Sequence, residues 1–422
     1  MGAGRVLWVP HYRGAGVTIQ FGSLLVLAVA AFVAPLLARL VPRRLVPPVV
    51  LEVLAGLAVG PQGLGLVQPR GAAELLYLLG LGFLLFLAGQ EVRPERFRGP
   101  MFRLAGAAFL ISGALAVPAA FGLRAIAGGA DVRLLALCLV ASTLGVLVPV
   151  LRDAGVIATD FGQLMVVAGS VGEFGSLLLL TILFSAQPES TTVQVLYVLA
   201  MAVAAVVLGV ALKALWRTKW MARTFADSDD DTTQLRVRAA FVVLLIFTAL
   251  AHEFGVDSLL GAFIAGMVVA VSDGDSRPNQ ERYQAKLRAI GFGFLVPVFF
   301  VMTGVQFDIR ALFAHPSALA LVPLLVLTIL VVRGGPALLY RRRLGLRPAL
   351  AAGFLQATTL TFPVVVAALG LDLGLLSEAT AAALIGASLL SVLLFPAAAM
   401  FLRPWSPASD TAPEERPATT AV

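Results

Sequence analysis

Long apolar stretches separated by short polar or Pro/Gly-rich breaks follow one another along nearly the whole chain. A stretch of about 20 apolar residues forms a helix long enough to cross a bilayer core of about 30 Å. The pattern predicts an all-α polytopic membrane protein with about 13 transmembrane helices, of which the eighth and ninth are the shortest. The predicted spans are 21–40, 47–66, 72–89, 101–127, 134–151, 161–185, 193–215, 239–251, 259–271, 289–305, 318–339, 349–369 and 379–402.

The composition agrees with a membrane protein and excludes a soluble globule. Of the 422 residues, 59% are apolar and 13% are charged, against about 45–50% and about 25% in a soluble domain. Disordered chains are poor in apolar residues and rich in charge, so disorder is expected only in the polar tail 403–422. Residues 1–20 lack the pattern of a removable signal peptide, and we predict that they form an extracytoplasmic N-terminal segment.

The basic residues indicate how the chain crosses the membrane. The net charge is +7, but the 31 Lys and Arg residues lie mostly in short tracts between apolar spans, which is a topology signal rather than a nucleic-acid surface. With the N-terminus outside, 24 of them fall in cytoplasmic segments and six in outer segments. Cytoplasmic loops carry the excess of Lys and Arg. We therefore predict a multi-pass protein of the cytoplasmic (inner) membrane with its N-terminus outside and its C-terminus, including the tail, in the cytoplasm.

Cofactor chemistry is not expected. Cys138 is the single cysteine, and the histidines at positions 11, 252 and 315 are scattered, so neither a disulfide nor a resident metal site is predicted. The phosphate-binding sequence Gly-x-x-x-x-Gly-Lys-Ser/Thr does not occur. ATP-driven transport and other enzymatic activity are therefore not expected, and no nucleic acid partner is predicted.

A short sequence of span five recurs in span twelve. Ala141-Ser142-Thr143-Leu144, with Pro149, is echoed 216 positions later by Ala357-Thr358-Thr359-Leu360, with Pro363. Proline removes a helix hydrogen bond and frees a backbone carbonyl, so both helices are predicted to be interrupted. Hydroxyl groups beside such a break can satisfy loosened backbone or coordinate an ion. The hydroxyls predicted to line this site belong to Ser142, Thr143, Thr358 and Thr359; a kinked but continuous helix is the alternative.

A second echo gives nearly the same offset. The sequence at 84–89 in span three resembles that at 299–304 in span ten, 215 positions later. Both offsets equal seven spans, an odd number, so the two copies have opposite orientations. We predict a transmembrane domain 21–402 with two inverted six-helix repeats, 21–185 and 239–402, and a linker helix 193–215. Such repeats are typical of transporters with a midplane site; chance matching of low-diversity apolar sequence is the alternative.

One carboxylate lies near the centre of a predicted span. Glu173 is surrounded by glycine and serine within Gly169-Ser170-Val171-Gly172-Glu173-Phe174-Gly175-Ser176. An ionisable group at this depth costs at least about 2.5–3.5 kcal/mol to insert and is a functional candidate by default. The carboxylate offers a hard oxygen ligand to a small cation, and burial favours the protonated form of an acid. Cation and proton are therefore expected to compete for Glu173; a structural Glu held by backbone or by a counter-charge is the alternative.

Arg333 lies in the middle of span eleven and is the natural counter-charge for Glu173. A guanidinium stays protonated in proteins, so Arg333 is expected to pair with the acid or repel the cation without carrying protons itself. We expect the ion pair when Glu173 holds neither cation nor proton. An arginine that extends to the inner interface is the alternative.

Two further acids lie near the ends of spans. Glu52 is one turn into span two, and Glu253 is at the outer end of span eight. Both are predicted to line a possible access path, with a structural role at the span boundary as the alternative.

Four motifs carry a resemblance to a known family. They are Pro47-Pro48-Val49-Val50-Leu51-Glu52-Val53-Leu54-Ala55-Gly56 with Gly60-Pro61, Leu85-Phe86-Leu87-Ala88-Gly89, Gly261-Ala262-Phe263-Ile264-Ala265-Gly266, and Pro297-Val298-Phe299-Phe300 with Gly304. In this order and spacing the sequence resembles the bacterial monovalent cation:proton antiporters of the sodium/hydrogen exchanger superfamily, most closely the antiporter-2 (Kef-like) branch, from about residue 21 to 402.

The resemblance implies a homodimer in which a core domain moves against a dimerisation domain like an elevator. The core would contain two crossed, unwound helices, here spans five and twelve. Glu173 falls where the family places its ion-binding acid, and Arg333 falls where many members have a basic partner. Two features depart from the family. The usual Asn-Asp or Asp-Asp pair is replaced by Gly172-Glu173, so neither the ion nor the stoichiometry carries over, and the nucleotide-binding regulatory domain of Kef-type members is not expected.

The sequence is best interpreted as that of a secondary antiporter that exchanges Na⁺ or K⁺ for H⁺. Because Gly172 cannot hold a second charge, one-for-one, electroneutral exchange is expected. A sodium-coupled symporter of an organic anion is one alternative. A passive channel or a non-transporting membrane protein, in which Glu173 and Arg333 form a structural pair, is another.

Overall fold

The computed structural model describes residues 20–40, 47–91, 99–184, 191–216, 234–254, 257–272 and 277–402. All regular secondary structure in these ranges is helical, which confirms the predicted fold class. Ten helical stretches among the described residues are long and apolar enough to cross a membrane, and shorter apolar helices lie at Pro48–Val59, Leu199–Ala214 and Ser258–Ser272. The predicted tail 403–422 and nearly all of the predicted N-terminal segment are outside the described ranges.

Most of the helices follow one another with short connections. In chain order they are α1 (Phe21–Leu40), α2 (Pro48–Val59), α3 (Ala72–Glu91), α4 (Pro100–Arg124), α5 (Val132–Val140), α6 (Leu144–Asp153), α7 (Asp160–Leu183), α8 (Thr191–Trp216), α9 (Leu235–Glu253), α10 (Ser258–Ser272), α11 (Arg277–Ile290), α12 (Val296–Gln306), α13 (Ile309–Ala314), α14 (Pro316–Ile329), α15 (Arg341–Leu344), α16 (Leu346–Ala357), α17 (Thr361–Asp372) and α18 (Glu378–Phe401). A π-helical stretch, Gly291–Leu295, joins α11 to α12. A π-helical stretch, Leu330–Gly334, and a 3₁₀ stretch, Gly335–Tyr340, join α14 to α15.

The eighth and second predicted spans differ in length from the helices of the structure. The eighth span is longer than predicted, because α9 contains 19 residues. The second span is shorter, because α2 ends at Val59 and the chain turns at Gly60-Pro61. A residue before proline is disfavoured in helical conformation, so this dipeptide stops the helix although the sequence beyond it stays apolar.

One set of helices packs backbone against backbone through glycine. This glycine-packed group comprises α1, α2, α3 and α9–α12. A Cβ atom on Gly56 of α2 would collide with the carbonyl oxygen of Val301 in α12, and Gly304 of α12 lies equally close to the backbone of α2. Gly89 of α3 and Gly266 of α10 serve the same purpose where those two helices cross. Small residues allow membrane helices to approach this closely.

A second set, the crossing group, comprises α4–α7 and α14–α18. Contacts far apart in sequence close one end of this group. The hydroxyl of Thr380 donates a hydrogen bond to the carbonyl oxygen of Ala127 over 3.2 Å, and the backbone N–H of Asp131 donates to the carbonyl oxygen of Leu375 over 3.2 Å. The first and last thirds of the chain are therefore joined directly at this end.

Ion pairs mark the opposite end, which we call the basic end. Arg343 and Asp160 pair there at 3.1 Å, and Arg152 and Glu91 pair at 2.9 Å. The three segments that carry Arg152, Arg343 and Arg288 are all predicted to be cytoplasmic. The structure thus gathers at one end basic residues that the charge pattern assigns to one side of the membrane.

The two groups meet along α3, α6, α7 and α10. The rings of Phe174 in α7 and Phe263 in α10 stack with their centroids 5.8 Å apart. This boundary passes beside the residue that follows Glu173, so the predicted acid lies next to the surface on which one group would move against the other.

Candidate ion site at the crossing of two interrupted helices

Both echoed segments are interrupted helices. The first helix stops at Val140 and resumes as α6 at Leu144, and the second stops at Ala357 and resumes as α17 at Thr361. Residues 141–143 and 358–360 between them have no helical structure. The structure therefore does not have the kinked, continuous helices that were the alternative.

The two interruptions are bonded to each other. The backbone N–H of Leu360, just before α17, donates a hydrogen bond to Oγ1 of Thr143 over 3.1 Å. Thr143 itself lies just before α6, so the starting ends of two half-helices meet here. Each carries unpaired N–H groups and a partial positive charge, so this junction favours an oxygen ligand or a negative charge.

The side chain of Ser391 in α18 forms hydrogen bonds with the open backbone of the second interruption. Pro363 has no N–H to give to the carbonyl oxygen of Thr359 four residues earlier. The hydroxyl of Ser391 donates to that oxygen over 2.9 Å, and Oγ of Ser391 accepts from the N–H of Thr359 over 3.1 Å. Two hydrogen bonds with one side chain thus hold the open backbone in place.

Glu173 lies at the start of the half-helix α6. Its side chain is buried, with 3% of the residue exposed, and Oε2 accepts a hydrogen bond from the backbone N–H of Leu144 over 2.9 Å. Leu144 is the first residue of α6, so the carboxylate faces the positive end of that helix, which stabilises its charge. Among the described residues, Oε1 accepts no hydrogen bond.

Arg333 is buried beside the residue that precedes the acid. Only 1% of Arg333 is exposed, so it does not extend to the interface. A Cβ atom on Gly172 would lie 2.6 Å from Nη2 of Arg333 and 2.8 Å from Cβ of Ser142. The guanidinium carbon lies 6.0 Å from the ring centroid of Phe109, within reach of a cation–π attraction. The guanidinium thus fills the space that a side chain at position 172 would need.

Among the described residues, no ion pair joins Glu173 and Arg333. The carboxylate accepts a hydrogen bond from the N–H of Leu144, and Nε and Nη2 of Arg333 have no hydrogen-bond partner there. The ion pair expected when Glu173 holds neither cation nor proton stays a prediction. Arg333 belongs to the π-helical stretch Leu330–Gly334. Such bulges frequently occur at functional sites.

The predicted hydroxyls divide into two kinds. Thr143 bonds to the other interruption, as described, and Thr358 donates back to the carbonyl oxygen of Phe354 over 3.2 Å. Among the described residues, the hydroxyls of Ser142 and Thr359 have no hydrogen-bond partner, nor do those of Ser176 and Thr361. Buried polar atoms without a partner are rare in proteins, so these four are candidate oxygen ligands for an ion.

The other predicted acids lie apart from this junction. Glu52 is buried in α2, which packs against α1 and α12, and Glu253 is exposed at the last residue of α9. Among the described residues, no group of three His, Cys, Asp or Glu side chains is close enough to hold a metal ion. The junction therefore has Glu173 as its carboxylate and relies on hydroxyl and backbone oxygens for any further ligands.

Sequence reasoning missed three residues of this site. Ser391, Gly172 and Phe109 act through contacts with distant segments. Ser391 could have been found from the sequence, because Ser388 and Ser391 lie one turn apart in a largely apolar helix. Gly172 was noted only as a missing charge, whereas the structure shows that it makes room for Arg333.

Two interrupted helices that meet inside a bundle of membrane helices, with a buried carboxylate at the junction, define a class of protein: the secondary transporters. The comparisons with known proteins then give the family. The model of the family described as "Sodium/hydrogen exchanger, transmembrane" matches residues 28–401, and the chain belongs to this family.

Individual relatives agree with this assignment. The chain is 30% identical over 390 residues to the putative Na⁺/H⁺ antiporter YjbQ of Bacillus subtilis. The aligned region covers 89% of this chain and 62% of that protein. The chain is 23% identical over 378 residues to the probable Na⁺/H⁺ antiporter 3 of Methanocaldococcus jannaschii, covering 86% and 92%. The structure of the sodium proton antiporter MjNhaP1 from Methanocaldococcus jannaschii at pH 8 has the same fold, with a TM-score of 0.65 and 15% identity over 90% of this chain and 96% of that one.

Proposed function

We propose that the protein is a secondary antiporter that exchanges a monovalent cation, Na⁺ or K⁺, for H⁺ across the cytoplasmic membrane. The observation that carries this proposal is the position of Glu173, a buried carboxylate at the junction of two interrupted helices. The names of the relatives, all Na⁺/H⁺ or cation/H⁺ antiporters, and the family membership support the same reaction.

The chemistry is competition for one carboxylate. When Glu173 is ionised, its Oε1 and the partnerless hydroxyls of Ser142, Ser176 and Thr359 offer hard oxygen ligands to a small cation. When Glu173 takes a proton it loses the charge that attracts the cation. The site therefore holds either the cation or the proton at one time, and this mutual exclusion is the requirement for obligatory exchange.

In this proposal the exchange is electroneutral because the single carboxylate of Glu173 takes up either one monovalent cation or one proton. The ionised acid and the permanently charged guanidinium cancel, and the site gains one positive charge whether it binds a monovalent cation or a proton. The loaded site therefore carries the same charge in both directions of transport. Exchange of one cation for one proton then moves no net charge across the membrane.

Movement of the crossing group against the glycine-packed group would give alternating access of the elevator type. The glycine contacts support the predicted inverted repeats behind this movement. Span three packs on span nine through Gly89 and Gly266. In the predicted repeats, span three corresponds to span ten and span nine to span two, and spans ten and two pack through Gly304 and Gly56. The same kind of close crossing thus occurs once with each orientation.

Orientation and assembly follow from the charges and the exposed surface. We propose that the basic end faces the cytoplasm, with the N-terminus outside. Apolar side chains of α1, among them Phe21, Leu25 and Phe32, are exposed, which suits contact with lipid or with a second copy in a homodimer.

The proposal is tested with purified protein in liposomes that carry a pH-sensitive dye. Imposed gradients of Na⁺, K⁺ and Li⁺ are expected to drive proton movement in the opposite direction, and a clamped membrane potential is expected to leave the rate unchanged. Cation flux without proton movement would indicate a channel. Cation uptake that depends on an added organic anion would indicate a symporter, and a dependence on the membrane potential would contradict electroneutral exchange.

A further inference from the structure

A cavity of about 50 Å³ lies between the two helix groups at the basic end. By volume it has room for a few water molecules, since a water needs about 10–15 Å³ by this measure. Its inner end is lined by Leu144 and Gly145 at the start of α6. Leu144 is the residue whose N–H donates a hydrogen bond to Glu173, so the cavity reaches the residue that contacts the candidate acid.

Three charged side chains line the mouth of this cavity: Glu91, Arg152 and Arg288. The carboxylate oxygen Oε1 of Glu91 lies 2.9 Å from Nη2 of Arg152 and 3.6 Å from Nη1 of Arg288. Elsewhere the wall is largely apolar, with Leu84 and Val148 on opposite sides. The mouth is thus the part of this cavity where charges from both walls are in direct contact.

The shorter ion pair joins the two groups. Glu91 is the last residue of α3 in the glycine-packed group, whereas Arg152 is in the last turn of α6 in the crossing group. Arg288 is in α11, which belongs with α3, so its contact stays within one group. Separation of the groups would break the Glu91–Arg152 pair, while the Glu91–Arg288 pair can persist through the separation.

We propose that the Glu91–Arg152 ion pair is a latch between the two helix groups that stabilises the state in which the cavity opens to the basic end. This inference rests on the proposed alternating-access function. Any displacement of α6 by several ångströms relative to α3 removes a contact that needs a separation of about 3 Å. An interaction present in one state and lost in the other shifts the equilibrium toward the first.

Cross-linking tests whether the two groups separate at this point. Glu91→Cys and Arg152→Cys are combined in a Cys138→Ala background and joined with a short, reducible bifunctional thiol reagent. We expect exchange to fall at least tenfold and to return on reduction. The matched control is Asp160→Cys with Arg343→Cys, which replaces an ion pair of 3.1 Å inside the crossing group and is expected to keep its exchange when cross-linked.

The outcomes distinguish a failure of the latch proposal from a failure of the proposed antiport function. Exchange by the untreated double-cysteine protein tests the proposed function, and its loss on cross-linking tests the latch. Full activity after cross-linking residues 91 and 152 would overturn the proposal. Equal loss in the 160–343 control would also overturn it, because the separation of the groups would then not be what the cross-link prevents.

Charge removal gives an independent readout. Glu91→Gln, Arg152→Gln and the double variant are each expected to raise turnover by the same factor, about two- to fivefold, the range for partly exposed ion pairs. Equal effects are expected because the same contact between the groups is lost in all three cases; the Glu91–Arg288 pair lies within one group and does not bias their separation. Unchanged turnover, or single effects that multiply in the double variant, would contradict the latch.

Discussion

The glycine crossings and the helix junction are built in opposite ways within one bundle. At the α2–α12 and α3–α10 crossings, backbone lies against backbone with no room for even a methyl group. At the junction the backbone is open and, in the part of the chain that the structure describes, hydroxyls lack hydrogen-bond partners and a guanidinium is buried without an ion pair. The first region gains stability from packing, whereas the second gives up stability by leaving buried polar atoms without partners.

The largest effect is expected where packing is closest. Gly304→Ala places a methyl group against the backbone of α2, and we expect a loss of about 3 kcal/mol or more, at the upper end of overpacking effects. Gly82→Ala is the matched control, since a Cβ atom there meets nothing within 4 Å. Thermal unfolding in detergent, followed by loss of the monodisperse species, measures both; equal stabilities would contradict the proposed role of the crossing.

A smaller loss of stability is expected at the bond between the interruptions. Thr143→Val leaves the buried N–H of Leu360 without an acceptor and should cost about 1–3 kcal/mol. Thr181→Val is the control, because its hydroxyl bonds only to the carbonyl oxygen of Leu177 in its own helix. If the two variants unfold at the same temperature, the bond between the interruptions does not stabilise the crossing.

Substitution of Arg333 is expected to change the free energy of unfolding in the opposite direction, toward greater stability. Nε and Nη2 of its guanidinium have no hydrogen-bond partner among the described residues, and a buried charge without partners carries an uncompensated desolvation cost. We expect Arg333→Met to raise the free energy of unfolding by about 1 kcal/mol while exchange falls, because the fixed charge of the site is lost. A destabilised variant with normal exchange would make Arg333 a structural residue.

The smallest effect is expected at an exposed ion pair. Asp160 and Arg343 pair at the surface of the basic end, within the crossing group. Exposed pairs contribute little, so Asp160→Asn should change the free energy of unfolding by less than about 0.5 kcal/mol and leave exchange unaltered. A large change in either quantity would show that the pair has a role beyond the surface.

The sequence was sufficient for the helices, for the two interruptions and for the central acid, because each depends on local pattern. Apolar length marks a span, and a lone Glu in that span stands out against its neighbours. It was not sufficient for the bond between Leu360 and Thr143, for the hydrogen bonds of Ser391, or for Arg333 beside Gly172. These contacts join segments that are brought together only by the crossing of the helices.

The central claim is that cation and proton occupy Glu173 in turn. The most direct test is proton release on adding Na⁺ or K⁺ to the purified protein in weakly buffered solution, with wild type and Glu173→Gln compared at equal folded concentration. The account predicts about one proton released per cation bound by the wild type, and neither proton release nor cation binding by the variant. Proton release by the variant equal to that of the wild type would contradict it.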